Sequence, residues 1–379
     1  NYKKLDMITK LNIYDNYYSW WKNIDKTILI LIISFFIAGL FFSLASTSLI
    51  ASDRLNTNSY YFFVKHLTFI LLGLSIMFIF SLLQEDHLIK LSIGLFVLSL
   101  FLLLLVTFIG VEVKGAKRWL DLPFLPRFQP VELIKPFYIV ILASTLNHQK
   151  YNLYFKYLLT LFLIVPIVLL LISQPDIGQS ILIIFTWLAL IFVSGINLFI
   201  FFGLFGIFIF LLSYLILFVE KFNYIKIRIS SFFDSSLNNN FQSEKSSEAI
   251  IDGGFFGKGI GEGVLKNKVP EAHTDYIVSV ISEEFGAVMI FLLLVIFLFF
   301  IYHIFKKLYF INDNKLKLII VGSSVIILFQ FLIHIGVNIR MFPTTGMTLP
   351  FLSYGGSSII STSILCGIIL NLTKKNLLR

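Results

Sequence analysis

"VPEAHTDYIVSVISEEFGAVMIFLLLVIFLFFIYH", residues 269–303, decides the fold. From Ala287 to Tyr302 it carries no charge, and as a helix the stretch 276–303 spans a bilayer core, which takes roughly 20 apolar residues. Its first half differs. Glu271, Asp275, Glu283 and Glu284 place carboxylates at or just inside the membrane boundary. Ionisable groups there are costly and usually functional. A helix starting near His273 would set Asp275, Ser279, Ser282 or Glu283, and Gly286 on one stripe, since residues four apart share a face. Asp275 would then lie at the water–lipid boundary, with Glu283 about 12 Å deeper. The purely structural alternatives are an N-cap for Asp275 and ion pairs inside the bundle for Glu283 and Glu284.

The rest of the chain is of the same kind. Of 379 residues, 58% are hydrophobic and only 13% charged, with a mean hydropathy of +0.90. Soluble domains carry about 25% charged residues. The pattern predicts an all-α, polytopic membrane protein with ten spans, near 27–49, 67–83, 89–109, 131–147, 157–172, 177–194, 197–219, 276–303, 316–339 and 352–372. Residues 1–26 form an N-terminal segment without the apolar core and small-residue cleavage site of a removable signal. Residues 27–375 form one membrane domain, which includes a long loop, 220–275, and residues 376–379 are a tail. The net charge of +9 fits basic loops facing anionic lipid better than nucleic acid. Cys366 stands alone, and no Cys/His metal spacing exists. Basic tails argue for cytoplasmic termini, while Asp and Glu concentrate on the opposite side. There lie the long connectors 110–130, 220–275 and 340–358, and loops of that length are usually functional or disordered. Within the second, the Ser/Asn-rich 235–247 is expected to be flexible and the basic–apolar 221–233 to lie in the interface.

Several motifs sit in or near these connectors. In "VKGAKRWLDL" (113–122), Lys114, Lys117, Arg118 and Trp119 cluster at a membrane edge. They read either as a basic–aromatic interface belt or as a diphosphate site, because Arg forms bidentate bonds to phosphate oxygens. In "QPDIGQS" (174–180), Asp176 suits a helix N-cap. "GGFFGKGIGEG" (253–263) fits neither a P-loop nor a dinucleotide fingerprint. Its glycines are expected to turn the backbone tightly beside lipid or ligand. "PFLSYGGSS" (350–358) leads into the last span, with Ser357 and Ser358 as candidate caps. Glu132 and Lys135, three apart within a span, can pair inside the bundle.

"GAKRWLDL" with "FQPVELIKP", then "QPDIGQS", "GGFFGKGIGEG", "PEAHTDYIVSVISEEFG" and "PTTGMTLPFLSYGGSS" follow one another in an order and spacing that closely resemble the SEDS family of bacterial membrane proteins. The resemblance covers residues 27–375, and the last motif is more similar to the FtsW than to the RodA branch. Any one motif is unspecific; together they are specific. The resemblance implies a SEDS-type fold of ten transmembrane helices in the bacterial inner membrane, termini in the cytoplasm, at the division septum. It implies a peptidoglycan glycosyltransferase that polymerises lipid II, a disaccharide-pentapeptide on undecaprenyl diphosphate. The family's catalytic aspartate maps onto Asp275. Substrate contacts are implied at Lys114, Lys117, Arg118, Trp119, Glu132, Lys135, Gln174, Asp176, His273, Thr274, Arg340, Ser353, Tyr354 and Ser357. The implied partners are a class B penicillin-binding protein, which is a transpeptidase, and other divisome proteins.

Two departures stand out. Val131 occupies a position where the family more often has Ser, so Gln129 or water must serve the amides at that helix start. Thr345 replaces a frequent Lys, leaving Arg340 as the nearby cation.

The chemistry agrees with these residues independently. A sugar 4-hydroxyl that attacks an anomeric carbon bearing a diphosphate needs a base and positive charge for the leaving group. Asp275 can serve as the base. Lys114, Lys117, Arg118 and Arg340, or a divalent cation such as Mg2+ or Mn2+, can supply the charge. No organic cofactor is expected. An α-linked donor and a β-linked product require one inversion and no second carboxylate. Two other classes stay open, a lipid II flippase and a non-catalytic scaffold for the transpeptidase. A flippase would suit polar residues at membrane depth, although no inverted repeat is evident. A scaffold would not need Asp275 near a basic cluster.

Overall fold

The computed structural model describes residues 18–46, 60–113, 115–123, 125–219, 222–223, 226–227, 229–230 and 241–375. Ten apolar helices fall on the ten expected spans. They are α1 Lys26–Ser46, α2 Tyr61–Leu82, α3 Glu85–Ile109, α4 Pro130–Leu146, α5 Leu153–Ser173, α6 Ile177–Val193, α7 Leu198–Phe218, α9 Ile277–Leu308, α10 Asn314–Asn338 and α11 Gly356–Leu372. Helix α8, Phe241–Gly253, belongs to the long loop. Seven of the ten are long and apolar enough to cross a membrane on length and composition alone. Helices α4, α6 and α11 have 17 residues each. They line the bundle interior, where partner helices rather than lipid cover them.

Helix α11 packs along α2, α3 along α4, and α10 against both α4 and α6. The α2–α11 contact is close because both helices present small residues there. A side chain at Gly73 would strike Ser363, and one at Gly367 would strike the Met77 backbone. Helix α7 is the outlier: it touches α6, and its apolar surface is otherwise turned outward.

Three local expectations are corrected, and one connector gains structure that no expectation assigned. The connector 110–130 opens as an antiparallel hairpin, β1 Val111–Val113 with β2 Ala116–Trp119, turning through Gly115 at φ 77°. Residues 241–247 of the stretch expected to be flexible are helical, in α8, while 235–240 lie outside the described residues, as does most of 221–233. The cap of α11 is Gly355, not Ser357 or Ser358. The side chain of Gln129 does not cap α4; it reaches Asp176 instead.

The stripe drawn through Asp275 and Gly286 does not form either. Helix α9 begins at Ile277 with Tyr276 as its cap residue, and it breaks at Gly286, φ 80° and ψ 175°. At the break the glycine-rich loop runs alongside like an added strand. Lys258 N–H donates to Glu283 O and Gly259 N–H to Glu284 O, while Ala287 N–H donates to Gly254 O and Val288 N–H to Phe255 O. Gly253 and Gly257 therefore turn against the backbone of α9. Added side chains at Gly253 and Gly257 would lie 2.0 Å from Ser282 O and 2.1 Å from Glu284 O.

Gly286 has no tolerated replacement. Its backbone lies where L residues are strained by about 1–3 kcal/mol, and a Cβ there would stand 2.1 Å from Phe255 O. Gly286→Ala is expected to release the loop, read as faster tryptic cleavage at Lys258 in detergent. Wild-type cleavage kinetics would mean that the break tolerates a side chain.

Candidate active site

The polar elements gather at one end of the bundle. The hairpin, the 174–176 turn, the 271–276 turn and the 343–355 connector meet there. The opposite end carries the Asp25–Lys307 and Glu85–Lys315 ion pairs and the contact of Lys375 N–H with Asn23 O.

Asp275 sits in a rigid turn. Thr274 N–H and Tyr276 N–H both donate to Glu271 O, and Glu271 takes φ 57° to allow it. Thr274 Oγ1 bonds the Glu271 carboxylate at 3.2 Å. The turn is tied to its neighbours through backbone atoms. Ser353 Oγ donates to Thr274 O at 2.6 Å, Tyr354 N–H to His273 O, and Asn338 Nδ2 to Asp275 O at 3.1 Å. The ring of His273 rests on Phe62, centroids 4.4 Å apart, with Tyr354 at 6.0 Å. Ser353, Tyr354, His273 and Thr274 therefore act in the structure as the frame that fixes Asp275.

Arg118 forms the facing wall. Its Nε donates to Gln174 O at 3.2 Å, and its Nη2 donates to Pro175 O. The remaining Nη1 reaches towards Gly346. A Cβ on Gly346 would lie 3.7 Å from Arg118 Nη1 and 3.7 Å from Asp275 Oδ2. The expected base and the expected cation thus flank one point, and Gly346, at φ 72°, leaves that point open.

Asp176 caps α6 as expected, accepting from Gln179 N–H, though at a long 3.5 Å. It does more than cap. Its Oδ2 accepts from Gln129 Nε2 at 2.8 Å and stands 4.0 Å from Arg118 Nε. Burial pushes the Asp176 carboxyl above the ordinary carboxylate range, with Arg118 and the Gln179 amide pulling the other way. Thr345 packs on Gly178 beside it. Gln174 is anchored by Nε2 to Leu103 O at 2.9 Å, and Ser357 Oγ accepts the Gln129 N–H at 3.0 Å.

The other expected residues lie further out. Lys117 is exposed and lines a cavity of about 410 Å³ with Thr107, Glu112, Gly115, Ser173, Gln174 and Pro175. That cavity excludes Asp275 and Arg118. Trp119 is half-buried on β2, paired with Val111. Arg340 is partly exposed, with φ 58°. Lys114 lies outside the described residues. Glu132 and Lys135 sit deeper, paired at 2.7 Å, and reach the site through Gln179, whose Nε2 donates to Glu132 Oε1 at 2.8 Å, and through Gln330, which accepts from Lys135 Nζ and donates to Thr348 O. Gln179, Asn338 and Gly346 are site residues that sequence reading did not single out, and Gln129 was expected at the α4 amides rather than at Asp176. Among the described residues no cluster of three His, Cys, Asp or Glu could hold a metal ion by itself.

The fork of Arg118 on two carbonyls has a direct consequence. Lys offers no rigid fork, so Arg118→Lys should destabilise the chain nearly as much as Arg118→Ala. The expected loss is on the order of 1.5–3 kcal/mol, as for hydrogen bonds to a charged group. An unchanged Tm for Arg118→Lys in detergent would mean that only the charge matters.

Comparison with known proteins agrees with this architecture. The family described as "Cell cycle protein", which takes in FtsW, RodA and SpoVE, matches residues 25–377. The Caulobacter vibrioides protein named "Probable peptidoglycan glycosyltransferase FtsW" is 32% identical over 94% of this chain and 90% of its own length. The Haemophilus influenzae protein of the same name is 32% identical over 96% and 95%. Among solved structures, a chain from a peptidoglycan synthase complex that coordinates polymerization and crosslinking superposes with a TM-score of 0.75 at 26% identity, covering 92% of this chain and 97% of that one. The rod shape determining protein RodA of Thermus thermophilus gives 0.68 at 26% identity, covering 93% and 97%. With the family match spanning nearly the whole chain, and ten apolar helices carrying one polar end, this is a multi-pass membrane protein that belongs to the FtsW/RodA/SpoVE family.

Proposed function

We propose that the chain is a peptidoglycan glycosyltransferase that polymerises lipid II, with Asp275 as general base. The observation that carries this reading is the convergence of Asp275 Oδ2 and Arg118 Nη1 on the open point beside Gly346. Asp275 takes the proton from the attacking 4-hydroxyl as that oxygen bonds to the anomeric carbon. The bond from that carbon to the diphosphate breaks in the same displacement, inverting the α linkage to β. Arg118, with Lys117 and Arg340 nearby in sequence or at the same end, offsets the charge that develops on the departing undecaprenyl diphosphate. The frame of Ser353, Tyr354 and Asn338 holds Asp275 in register, and precise placement of reactants contributes much of such rate enhancements.

Among the described residues the carboxylates form no metal cage of their own, so a divalent cation, Mg2+ or Mn2+, would be held chiefly by the diphosphate, as magnesium commonly is. It would supply extra positive charge to the leaving group. The proposed partner is a class B penicillin-binding protein, whose transpeptidation would add crosslinking to this chain's polymerization, the two activities that the related synthase complex coordinates. Septal localisation and cytoplasmic termini follow from the same reading. The test is polymerisation of lipid II by the purified protein, with and without its transpeptidase. Glycan strands support it. Lipid II movement across vesicles without strand formation would make the chain a flippase, and neither activity would make it a scaffold.

A further inference from the structure

We propose that the glycine-rich loop 254–260 is a membrane-inserted element, with Phe255 and Phe256 embedded among lipid acyl chains in the leaflet on the Asp275 side. Two depth gauges within the fold lead to this. The first is α9. Its ion pair Lys307–Asp25 marks the opposite boundary of the bilayer. From Lys307 back to Gly286 the helix rises about 31 Å at 1.5 Å per residue, close to the roughly 30 Å of a hydrocarbon core. The second is α1. Phe285 packs on Phe41 and Phe42, with centroids 5.6 and 5.5 Å away. That level is about 24 Å above Asp25 along α1, more than a helical turn short of Ser46, where α1 ends. Both gauges put the break in α9 at or inside the hydrocarbon boundary.

The loop is fastened at that level. Ala287 and Val288 donate to the carbonyls of Gly254 and Phe255, so the chain cannot place Phe255 elsewhere without undoing these bonds. A second clamp lies one turn above. Glu283, fully buried, accepts Leu265 N–H at 2.7 Å and Lys266 N–H at 2.5 Å. Glu284 pairs with Lys266 Nζ and accepts Gly261 N–H at 3.2 Å. The loop thereby supplies the donors that two carboxylates at membrane depth require, which explains why Glu283 and Glu284 pair with loop groups rather than with the bundle.

The side chains on the free face are apolar. Phe255 and Phe256 are 76% and 84% exposed, and Ile251 and Ile260 lie beside them, likewise exposed. A contiguous exposed apolar patch marks a partner or a membrane. Here it continues the outward-facing surface of α9, where Val288, Phe291, Leu292 and Val295 are exposed as well. A surface continuous with the lipid-facing side of a span, at the depth of the acyl chains, is covered by lipid. The one cation within the loop fits too. Lys258 is half exposed and paired with Asp252 at 3.0 Å, as expected of a lysine that snorkels to the headgroups. This placement stands whatever role Asp275 has.

The experiment is a depth measurement on the full chain. Cys366 is the single cysteine and is buried, so a nitroxide attached to Phe256→Cys reports one position. The protein is reconstituted in phosphatidylethanolamine–phosphatidylglycerol bilayers, and collisions with oxygen are compared with collisions with a water-soluble nickel chelate. Labels at Phe291→Cys and Glu248→Cys give the lipid and water references. We expect the oxygen-to-nickel ratio at 256 to match that at 291 and to exceed that at 248 severalfold, with Phe255→Cys agreeing independently. A ratio at the level of 248 for both loop labels overturns the proposal. So does a water-like ratio that falls in both channels only when the transpeptidase is added, which would make the patch a protein-docking surface.

Discussion

Asp275→Asn is expected to fold, insert and unfold thermally like the unaltered chain, yet to lose lipid II polymerisation by a factor of about 10²–10⁴, the usual cost of removing a general base. Both halves of this expectation follow from the contacts of the 271–276 turn. The turn is held by backbone atoms of residues 271–276, with Ser353, Tyr354 and Asn338 as donors, and an amide in place of the carboxylate leaves all of them intact. What changes is the group beside Gly346 that faces Arg118, which no longer accepts a proton. Asp176 provides the contrast. It is also a carboxylate near Arg118, but its oxygens serve Gln129 and the Gln179 amide of α6, so Asp176→Asn should lower Tm more than it lowers turnover per folded molecule. Strand formation from purified lipid II, measured beside thermal unfolding for both variants, separates the two carboxylates. Polymerisation by Asp275→Asn at the unaltered rate removes it as the base.

What could be read from the sequence follows physical range. The spans were legible because each is a long run with one dominant property, and their ends fell within a few residues: 276–303 became Ile277–Leu308, and 177–194 became Ile177–Val193. The Glu132–Lys135 pair was legible because three residues on a helix fix the geometry. The hairpin had a signal too. Val111-Glu112-Val113 alternates, and Gly115 follows as a turn residue, but short strands beside membrane spans are easily read as loop. Other features were not local. Gln129 meets Asp176 across 47 residues, and Glu283 meets Lys266 only because α9 breaks at Gly286 and lets the loop come alongside. The breaking glycine was visible; the direction of the chain on either side of it was not. The candidate members of the site came through the resemblance. The geometry of the site was not legible, because the open point beside Gly346 depends on four connectors meeting.

The Glu132–Lys135 pair carries the largest expected effect on stability. Both side chains are almost entirely buried, and the surrounding groups are arranged to match. Lys135 Nζ donates to Glu132 Oε1 at 2.7 Å and to Gln330 Oε1 at 3.1 Å. Gln179 Nε2 donates to the same Glu132 oxygen. Gln330 in turn donates through Nε2 to Thr348 O at 3.0 Å, so the pair is joined to the connector that carries Gly346. Removing one member of a buried pair leaves the other charge uncompensated and costs about 3–5 kcal/mol, more than removing both. Lys135→Met would leave a carboxylate with one amide donor, and Glu132→Gln would leave an ammonium facing only neutral amide oxygens, that of Gln330 and that of the substituted side chain. Each single change should therefore lower Tm sharply and depress polymerisation. The double change should recover part of the stability, because no unpaired charge remains, while activity stays low, because Gln179 and Gln330 have lost the groups that orient them. The bland alternative is that both side chains interact mainly with the two glutamines and little with each other. Thermal unfolding in detergent of the two single variants and the double variant decides between these: a double-variant loss clearly smaller than the combined single losses means coupling, and strictly additive losses would sink the pairing.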